Sequence, residues 1–570
     1  MKTVKRVSNC YHVLLLVFCL LVQFNVLIIA GLSSTENVDR RPGKLATESS
    51  NTIWVPDNYT TIQAAIYAAG AGDTIRVQNG TYHENLKVNQ SVKLIGERLP
   101  TICGESVGMF GKPTVDIDTE NVTICGFIIQ HYPFKISERD SGICLSRGGN
   151  ITGNIIHSNL EGIKSGSGCY YNVISNNVIE GNGLGLMSDG AWNNITNNIV
   201  RTNGNGIYSH AVGGILINNT ITNNIFRGFQ LSVWGSKLRN NTISGNGVNF
   251  IRWETLLAQL ICDIDTSNTI NGNPIYYWIN QSYRTVPSDA GYVAIINCTN
   301  IKVEGLTLEH NGQGVLIAHS SNVTVKNCNL TSNRWGVRLL SSSNVSLYHN
   351  NIIDNFYHQV ETNRANSWDD GYPYGGNYWS DYAYVDIKSG SGQNSTGADG
   401  IGDAPHVLDA NNIDHYPLMG MFHIFNTFPG CYVNIVSNST IEDFQYFKPN
   451  STIKIHVSNM TATQTSGFCR ICIPHVLMSE PYNVTVDGAN PTHWNYTLYD
   501  NGTHRWIYFA YQHSVHEIVI VPEFPSFLIL PLFMIATLLA VIVYKRKHQT
   551  RNKKRSLALL VLSMKPLECL

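Results

Sequence analysis

Two carboxylates stand side by side in the string WDDGYP, Asp369 and Asp370. Closely placed acids can act as general acid and base at a glycosidic bond, so a glycoside hydrolase or polysaccharide lyase is one reading of this pair. A second set is Asp399-Gly400-Ile401-Gly402-Asp403. Asp399, Gly400 and Asp403 match the later half of a calcium loop, while the earlier ligand positions hold Ser395 and Gly397. A third is Cys469-x-x-Cys472 with His475 three residues on. Two thiolates and an imidazole at that spacing suit copper or zinc, and outside a cell the same pair suits a disulfide or redox couple. A fourth is aromatic: Trp368, Tyr372, Tyr374, Tyr378, Trp379, Tyr382 and Tyr384 fall within 17 residues. Such rings either stack on sugar faces or pack over an open apolar end. Trp368, Tyr374, Tyr378 and Trp379 are the candidate carbohydrate contacts.

The elements that must hold these groups follow from a beat of about 22 residues. Gly-apolar pairs stand at Gly142, Gly162, Gly185, Gly206 and Gly228, in steps of 20, 23, 21 and 22, and return at Gly314 and Gly336. Asn154, Asn177, Asn198, Asn219 and Asn241 keep the same beat, followed by Asn329 and Asn351. An apolar residue mostly lies two places after each, with Thr331 as the exception. A fixed short period means a stacked solenoid. Repeats rich in Gly, Asn and β-branched residues favour strands and turns over helices. The fold expected is all-β: a parallel β-helix of roughly ten coils. Cys103, Cys125 and Cys144 are 22 and 19 apart, which predicts stacking on neighbouring coils, as buried thiols or as a disulfide.

Composition narrows the setting. Of 570 residues only 14 % are charged, and the net charge is −1, which excludes a nucleic-acid footprint. Asn-x-Ser/Thr acceptors recur, at Asn58, Asn79, Asn121 and Asn344, and outside the repeats at Asn438, Asn450, Asn459, Asn483, Asn495 and Asn501. They point to N-glycosylation of an exported chain. Residues 1–32 read as a signal peptide or signal anchor, with Val13 to Leu32 apolar behind Lys2, Lys5 and Arg6. Ser526 to Tyr544 is an uncharged apolar run of 19 residues, followed by a basic tail over 545–570. That pattern predicts a single membrane-spanning helix in contact with lipid, with the C-terminus cytoplasmic and the bulk of the chain extracellular at the cell surface.

Between these ends the chain divides. Residues 33–52 form a spacer. Residues 53–100 contain an amphipathic helix near Thr60, with Ile62, Ala65, Ile66 and Ala69 on one face, which caps the first coils. Coils fill 101–360, with the period broken over about 250–290. The aromatic, Asp/Gly-rich block is 361–420. Short β-forming runs over 430–521 predict a small β-sandwich.

The cap string, the Gly/Asn coils and the block GGNYWSDY…DGIGD…YPL resemble the NosD group of right-handed β-helix proteins, over roughly residues 53–420. The wider class comprises carbohydrate-binding proteins and sugar hydrolases of pectin-lyase-like fold. The resemblance implies a right-handed solenoid and a polysaccharide or surface-glycan ligand. It also implies a copper-handling accessory role, since members in denitrifying bacteria serve copper-centre maturation. Val521-Pro522-Glu523-Phe524 before the apolar run resembles an archaeal PEF-type sorting signal, which implies a sorting transpeptidase as partner. The coils themselves offer few acids, so a non-enzymatic binding role leads.

Overall fold

A computed structural model describes residues 50–105, 112–132, 141–232, 234–512, 514–523 and 526–562, without the side chains of residues 132, 494–496, 526–532 and 558–562. The export segment, most of the spacer, Phe524 of the PEF string and the end of the basic tail lie outside the described residues.

The chain coils into a parallel β-helix. Its first stack has three flanks: a ten-stranded sheet from Thr52–Val55 to Asp263–Ile264, an eight-stranded sheet from Leu86–Val88 to Val248–Arg252, and a third that begins at Thr81–His83. The third sheet runs on through the whole solenoid to His358–Thr362 and counts 14 strands, more than the roughly ten coils expected. Each flank contributes one interior column. Ile151, Ile174, Ile195, Leu216 and Leu238 pair coil to coil, as do Ile156, Ile179, Val200, Ile221 and Ile243. Ile143, Ile163, Leu186, Ile207, Phe229 and Phe250 form the third. All are buried, so every coil closes the apolar face of the one before.

The two sequence beats have separate physical causes. A side chain at Gly185 would meet Gly206 O at 2.8 Å and Asn203 Nδ2 at 3.0 Å, so this inward turn must lack a Cβ. The asparagines form ladders in the turns. Asn198 accepts from Asn177 N and Nδ2 at 3.0 Å, and its Nδ2 donates to Ile174 O at 2.8 Å and Asn219 Oδ1 at 3.1 Å. The ladder runs from Asn154 to Asn268, and a second parallel one from Asn159 to Asn246. Turn backbone that would be buried without partners is thereby satisfied.

The cap helix is Ile62–Ala68, with Thr61 accepting from Ala64 N and Ile62, Ala65 and Ile66 buried. The broken stretch is one irregular coil: helix Leu257–Leu260, strand Asp263–Ile264, then Thr269–Ile270 paired antiparallel to Asn273–Ile279. Beyond it a second stack begins, with new four-stranded sheets from Ser282–Thr285 and Thr307–Glu309. The stacks are stitched laterally where Gly312 N donates to Phe250 O at 2.8 Å and Gln313 Nε2 to Arg252 O at 2.6 Å.

The three early cysteines do not stack. Cys103, Cys125 and Cys144 sit in three different sheets, and all three are free thiols. Coils there are longer than 22 residues: Cys103 pairs with Gln130, Cys125 with Thr152, and Cys144 with Asp116.

The aromatic block closes the solenoid. Strand Tyr378–Trp379 adds to Asn351–Ile353, so the last coil reaches past residue 360. A β-sandwich follows. One sheet holds Met421–Phe428, Cys431–Ser437, Ser466–Pro474, His504–Gln512 and His493–Asp500; the other holds Ser439–Phe447, Thr452–Asn459, His516–Pro522 and Tyr482–Val486. The C-terminal helix, Ser526–Leu562, continues through the basic cluster instead of ending at Tyr544. Among the described residues no helix is long and apolar enough to cross a membrane. The first seven side chains of the apolar run lie outside them.

Candidate functional site

Three of the residues with chemistry on their side chains meet in one cleft of about 730 Å³ between the solenoid end and the sandwich: Asp370, Tyr374 and His475. Asp370 faces Lys326 from the solenoid; the cleft walls lift its pKa and Lys326 opposes that lift. Tyr374 receives a hydrogen bond from Asn501 Nδ2 at 3.1 Å. His475 pairs with Asp500 at 3.1 Å. Behind them His349 is buried, stacks on Phe422 at 4.2 Å and lies 3.0 Å from Tyr374 O. Burial pushes its pKa down to about 4, so it stands neutral.

The other candidates have structural partners. Asp369 is occupied by Gly371 N and by His415 N and Nδ1, at 3.0–3.1 Å, so the two acids do not act on one bond from matched positions. Trp368 and Trp379 are 0 % and 1 % exposed and cannot offer a ring to sugar; Tyr378 is half-buried beside Leu418. Asp399 accepts from Ile401 N at 3.0 Å and Asp403 from Ile387 N and Lys388 N at 3.0–3.1 Å, so both carboxylates fasten loop backbone. Cys469 points into the sandwich core towards Ser437 and Tyr511, while Cys472 lies with Arg470 and Trp506 on the opposite side of the strand. Residues three apart on a strand face opposite ways, so Cys469, Cys472 and His475 do not converge. Among the described residues no group of three or more His, Cys, Asp or Glu is placed to hold a metal ion. The acceptors Asn58, Asn79, Asn121, Asn344, Asn450, Asn459, Asn483 and Asn501 are exposed; Asn438 is partly buried with its Nδ2 on Ser466 O. The Asn495 side chain lies outside the described residues.

Asp386 binds the Asp399 turn to the block, accepting from Asp399 N at 2.9 Å and Gly400 N at 2.7 Å. Burial, then the neighbouring acids Asp399 and Asp403, raise its pKa to about 7, against the hydrogen bonds that lower it. An acid whose folded pKa is raised favours folding most below its unfolded pKa of about 4 and loses that contribution as pH climbs to about 7. Stability therefore falls between pH 4 and pH 7 through this group, by on the order of 2 kcal/mol after discounting for partial exposure. Asp386→Ala flattens that slope relative to the parent in denaturant titrations across the window; parallel slopes would exclude the assignment.

A site that the motifs did not reveal lies where the two stacks meet. Its cavity of about 410 Å³ opens on the outer face of the eight-stranded sheet. Arg227 donates to Tyr208 OH at 2.6 Å. The Arg334 guanidinium lies 4.4 Å from the Tyr357 ring centre, 4.7 Å from Trp253 and 5.0 Å from Trp335. Among the described residues neither Arg227 nor Arg334 pairs with a carboxylate. Burial, reinforced by the Arg227 charge, lowers the Arg334 pKa. Arg334 Nε and the indole N–H groups of Trp253 and Trp335 are buried and have no hydrogen-bond partner among the described residues. The next arginine, Arg338, is spent: it grips Glu361 at 2.9 Å and the carbonyls of Arg252 and Trp253 at 3.1 Å. The irregular coil is what brings Trp253 to this face. Phe226 and Phe356, 63 % and 59 % exposed, form the rim.

A family model described as the right-handed beta helix region matches residues 184–368, and the solenoid is right-handed accordingly. No curated protein matches the chain. Solved structures similar to it include the Dettilon tailspike protein gp208, at 13 % identity over 82 % of this chain and 93 % of that one, TM-score 0.31. The pectate lyase Pel9A shows 13 % identity over 60 % and 84 %, TM-score 0.26. The A-module of the mannuronan C-5 epimerase AlgE4 from Azotobacter vinelandii shows 17 % identity over 53 % and 75 %, TM-score 0.27.

Proposed function

We propose that this chain is a surface-anchored β-helix that binds an acidic polysaccharide across the junction of its two stacks. One observation supports this above the rest: Arg227 and Arg334 are walled by aromatic rings and, among the described residues, have no carboxylate partner. Two like charges held close with buried, unmatched N–H donors are unfavourable alone and become favourable when an anion arrives. A guanidinium takes a carboxylate in two parallel hydrogen bonds, and the rings take the apolar face of a sugar. The ligand class is therefore a uronate-bearing or similarly carboxylated glycan, held and not cleaved. In this reading the apolar run Ser526 to Tyr544 and the basic residues after it anchor the rod, and glycans on the exposed sandwich acceptors Asn450, Asn459, Asn483 and Asn501 cover its base.

Binding of carboxylated and neutral polymers to the full chain in detergent is the test. Arg334→Ala should weaken the carboxylated polymer about 10- to 100-fold, corresponding to the loss of one charge-assisted contact of about 1.5–3 kcal/mol. The remaining affinity should fall as salt rises. Equal affinity for both polymers, or an Arg334→Ala variant that binds as well as the parent, rules the reading out.

A further inference from the structure

A second place on the rod is built to hold a ring, and it is independent of the charged groove. At the turn from the eight-stranded to the ten-stranded sheet, successive coils align Asn121, Gly148, Tyr171, Trp192, Gly213 and Gly235, as the neighbouring strand pairs Val122–Gly149, Asn150–Val173, Val173–Asn194, Asn194–Ile215 and Ile215–Lys237 require. All but Gly148 are left-handed, with φ between 56° and 79° in the five. Glycine and asparagine adopt that conformation readily; tyrosine and tryptophan do so at a cost. The fold does not need rings there, since Gly213 and Gly235 make the same turn. The rings are also not buried: Tyr171 is 69 % exposed and Trp192 48 %.

Tyr171 and Trp192 stack on each other, centres 5.3 Å apart and planes 15° apart. That separation is close to one coil of the solenoid, so both rings stand across its axis. Trp192 is backed by Gly213, where an added Cβ would come within 2.5 Å of the indole. The other face of the stack, Tyr171's, opens on the coil where the column holds Gly148. The next side chain beyond is Asn121, two coils from Tyr171, or about 9–10 Å. The gap is a slot of about 390 Å³ lined by Tyr171, Gly148 and Asn121, with Tyr170 beside them. Its rim bears Arg147, Glu120 and Asn150, one positive charge against one negative with amide donors and acceptors between.

We propose that this slot binds one pyranose ring of a neutral glycan, which continues the stack over Gly148. A slot one ring thick, flat and apolar on the Tyr171 side, suits the axial C–H face of a pyranose. The mixed, uncharged balance of the rim suits hydroxyl groups and disfavours an anion. A lipid chain would find no continuation of the apolar face past the polar rim.

The experiment uses the full chain in detergent, produced without N-glycans so that Asn121 and Asn150, which opens the acceptor string Asn150-Ile151-Thr152, are bare, with neutral hexasaccharides built from glucose, mannose or xylose as probes. Calorimetry gives the affinity, and saturation-transfer NMR reads which sugar protons touch the protein. At least one probe should bind, with transfer strongest to the C–H protons of a single face. Tyr171→Ala should weaken it at least tenfold, with the unfolding midpoint within about 2 °C of the parent, because lost stacking and relieved backbone oppose each other. Gly148→Gln, which fills the slot and leaves Tyr171 in place, should weaken binding as much. Tyr67→Ala, an exposed ring on the cap helix, should leave affinity unchanged. The proposal is overturned if no neutral probe binds, or if Tyr171→Ala and Gly148→Gln bind like the parent. Such an outcome would leave the acidic-polymer reading intact, because these probes bear no charge.

Discussion

Asn198→Ala will cost about 3–5 kcal/mol of unfolding free energy, although it removes only a small polar side chain. The amide is wholly buried, and two backbone groups, Asn177 N–H and Ile174 C=O, lose the partner it supplies. The Asn177 amide loses one of its acceptors as well. Each orphaned buried group costs about 1–3 kcal/mol, and alanine offers nothing in return. In a solenoid the damage stays with the neighbouring coils, so unfolding should split into two steps instead of shifting as one. The control is next door. Asn197 is exposed and left-handed at φ 56°, and Asn197→Gly should change stability by less than about 1 kcal/mol. Urea titrations by circular dichroism, with hydrogen exchange across residues 173–217, compare the two. Similar losses in both variants would mean that the ladder is not what holds the coils.

Trp379→Ala should have the next largest effect, about 3–5 kcal/mol, and it should act on stability without altering glycan affinity. The ring is 1 % exposed, and strand Tyr378–Trp379 covers the last turn of the second core. Its indole donates to Asp414 Oδ2 at 2.8 Å, and Asp414 also holds Asn377 N at 2.8 Å and Tyr416 N at 3.1 Å. Losing the ring leaves a cavity at the open end of the solenoid and one donor fewer for a buried carboxylate. Trp379→Phe keeps most of the hydrocarbon and should lose roughly half as much. Denaturation midpoints and polymer affinity measured on the same preparations separate the two roles; a fall in affinity at unchanged stability would return this residue to the sugar-binding surface.

The solenoid was legible because its sequence beats mark the points where coils touch. Gly185 recurs where a Cβ would strike the next coil, and Asn198 where a turn needs an amide. The phase was less secure in the second stack. There the interior residues are Leu330 and Ile352, and the turn groups are Cys328 and Asn350, one place before Asn329 and Asn351, which keep the spacing of the series. The mismatch at Thr331 was the sign of this. Cys103, Cys125 and Cys144 misled because a fixed spacing stacks residues only when the coil has that length. Function was harder to see. Register alone puts Arg334 beside Tyr357, since Trp335 pairs with His358. Nothing in the spacing joins Arg227 to Arg334, because the irregular coil that brings Trp253 between them follows no period. The cleft holding Asp370, Tyr374 and His475 needs the packing of the sandwich against the block. Arg470 Nη2 on Pro373 O at 2.6 Å is one of its fasteners, and no local pattern announces it.

The asparagine ladder has a further meaning for how long such a rod can be. Each ladder amide meets the same groups above and below it, and the interior columns repeat residue for residue. One coil is thus a repeatable module: a second copy of 177–197 inserted after residue 197 would bond Asn177 on one side and Asn198 on the other, as those two bond each other now. Reach is set separately from recognition. A lineage can lengthen the distance between the ring-lined slot and the charged groove in steps of one strand spacing, about 4.8 Å, while both keep their chemistry.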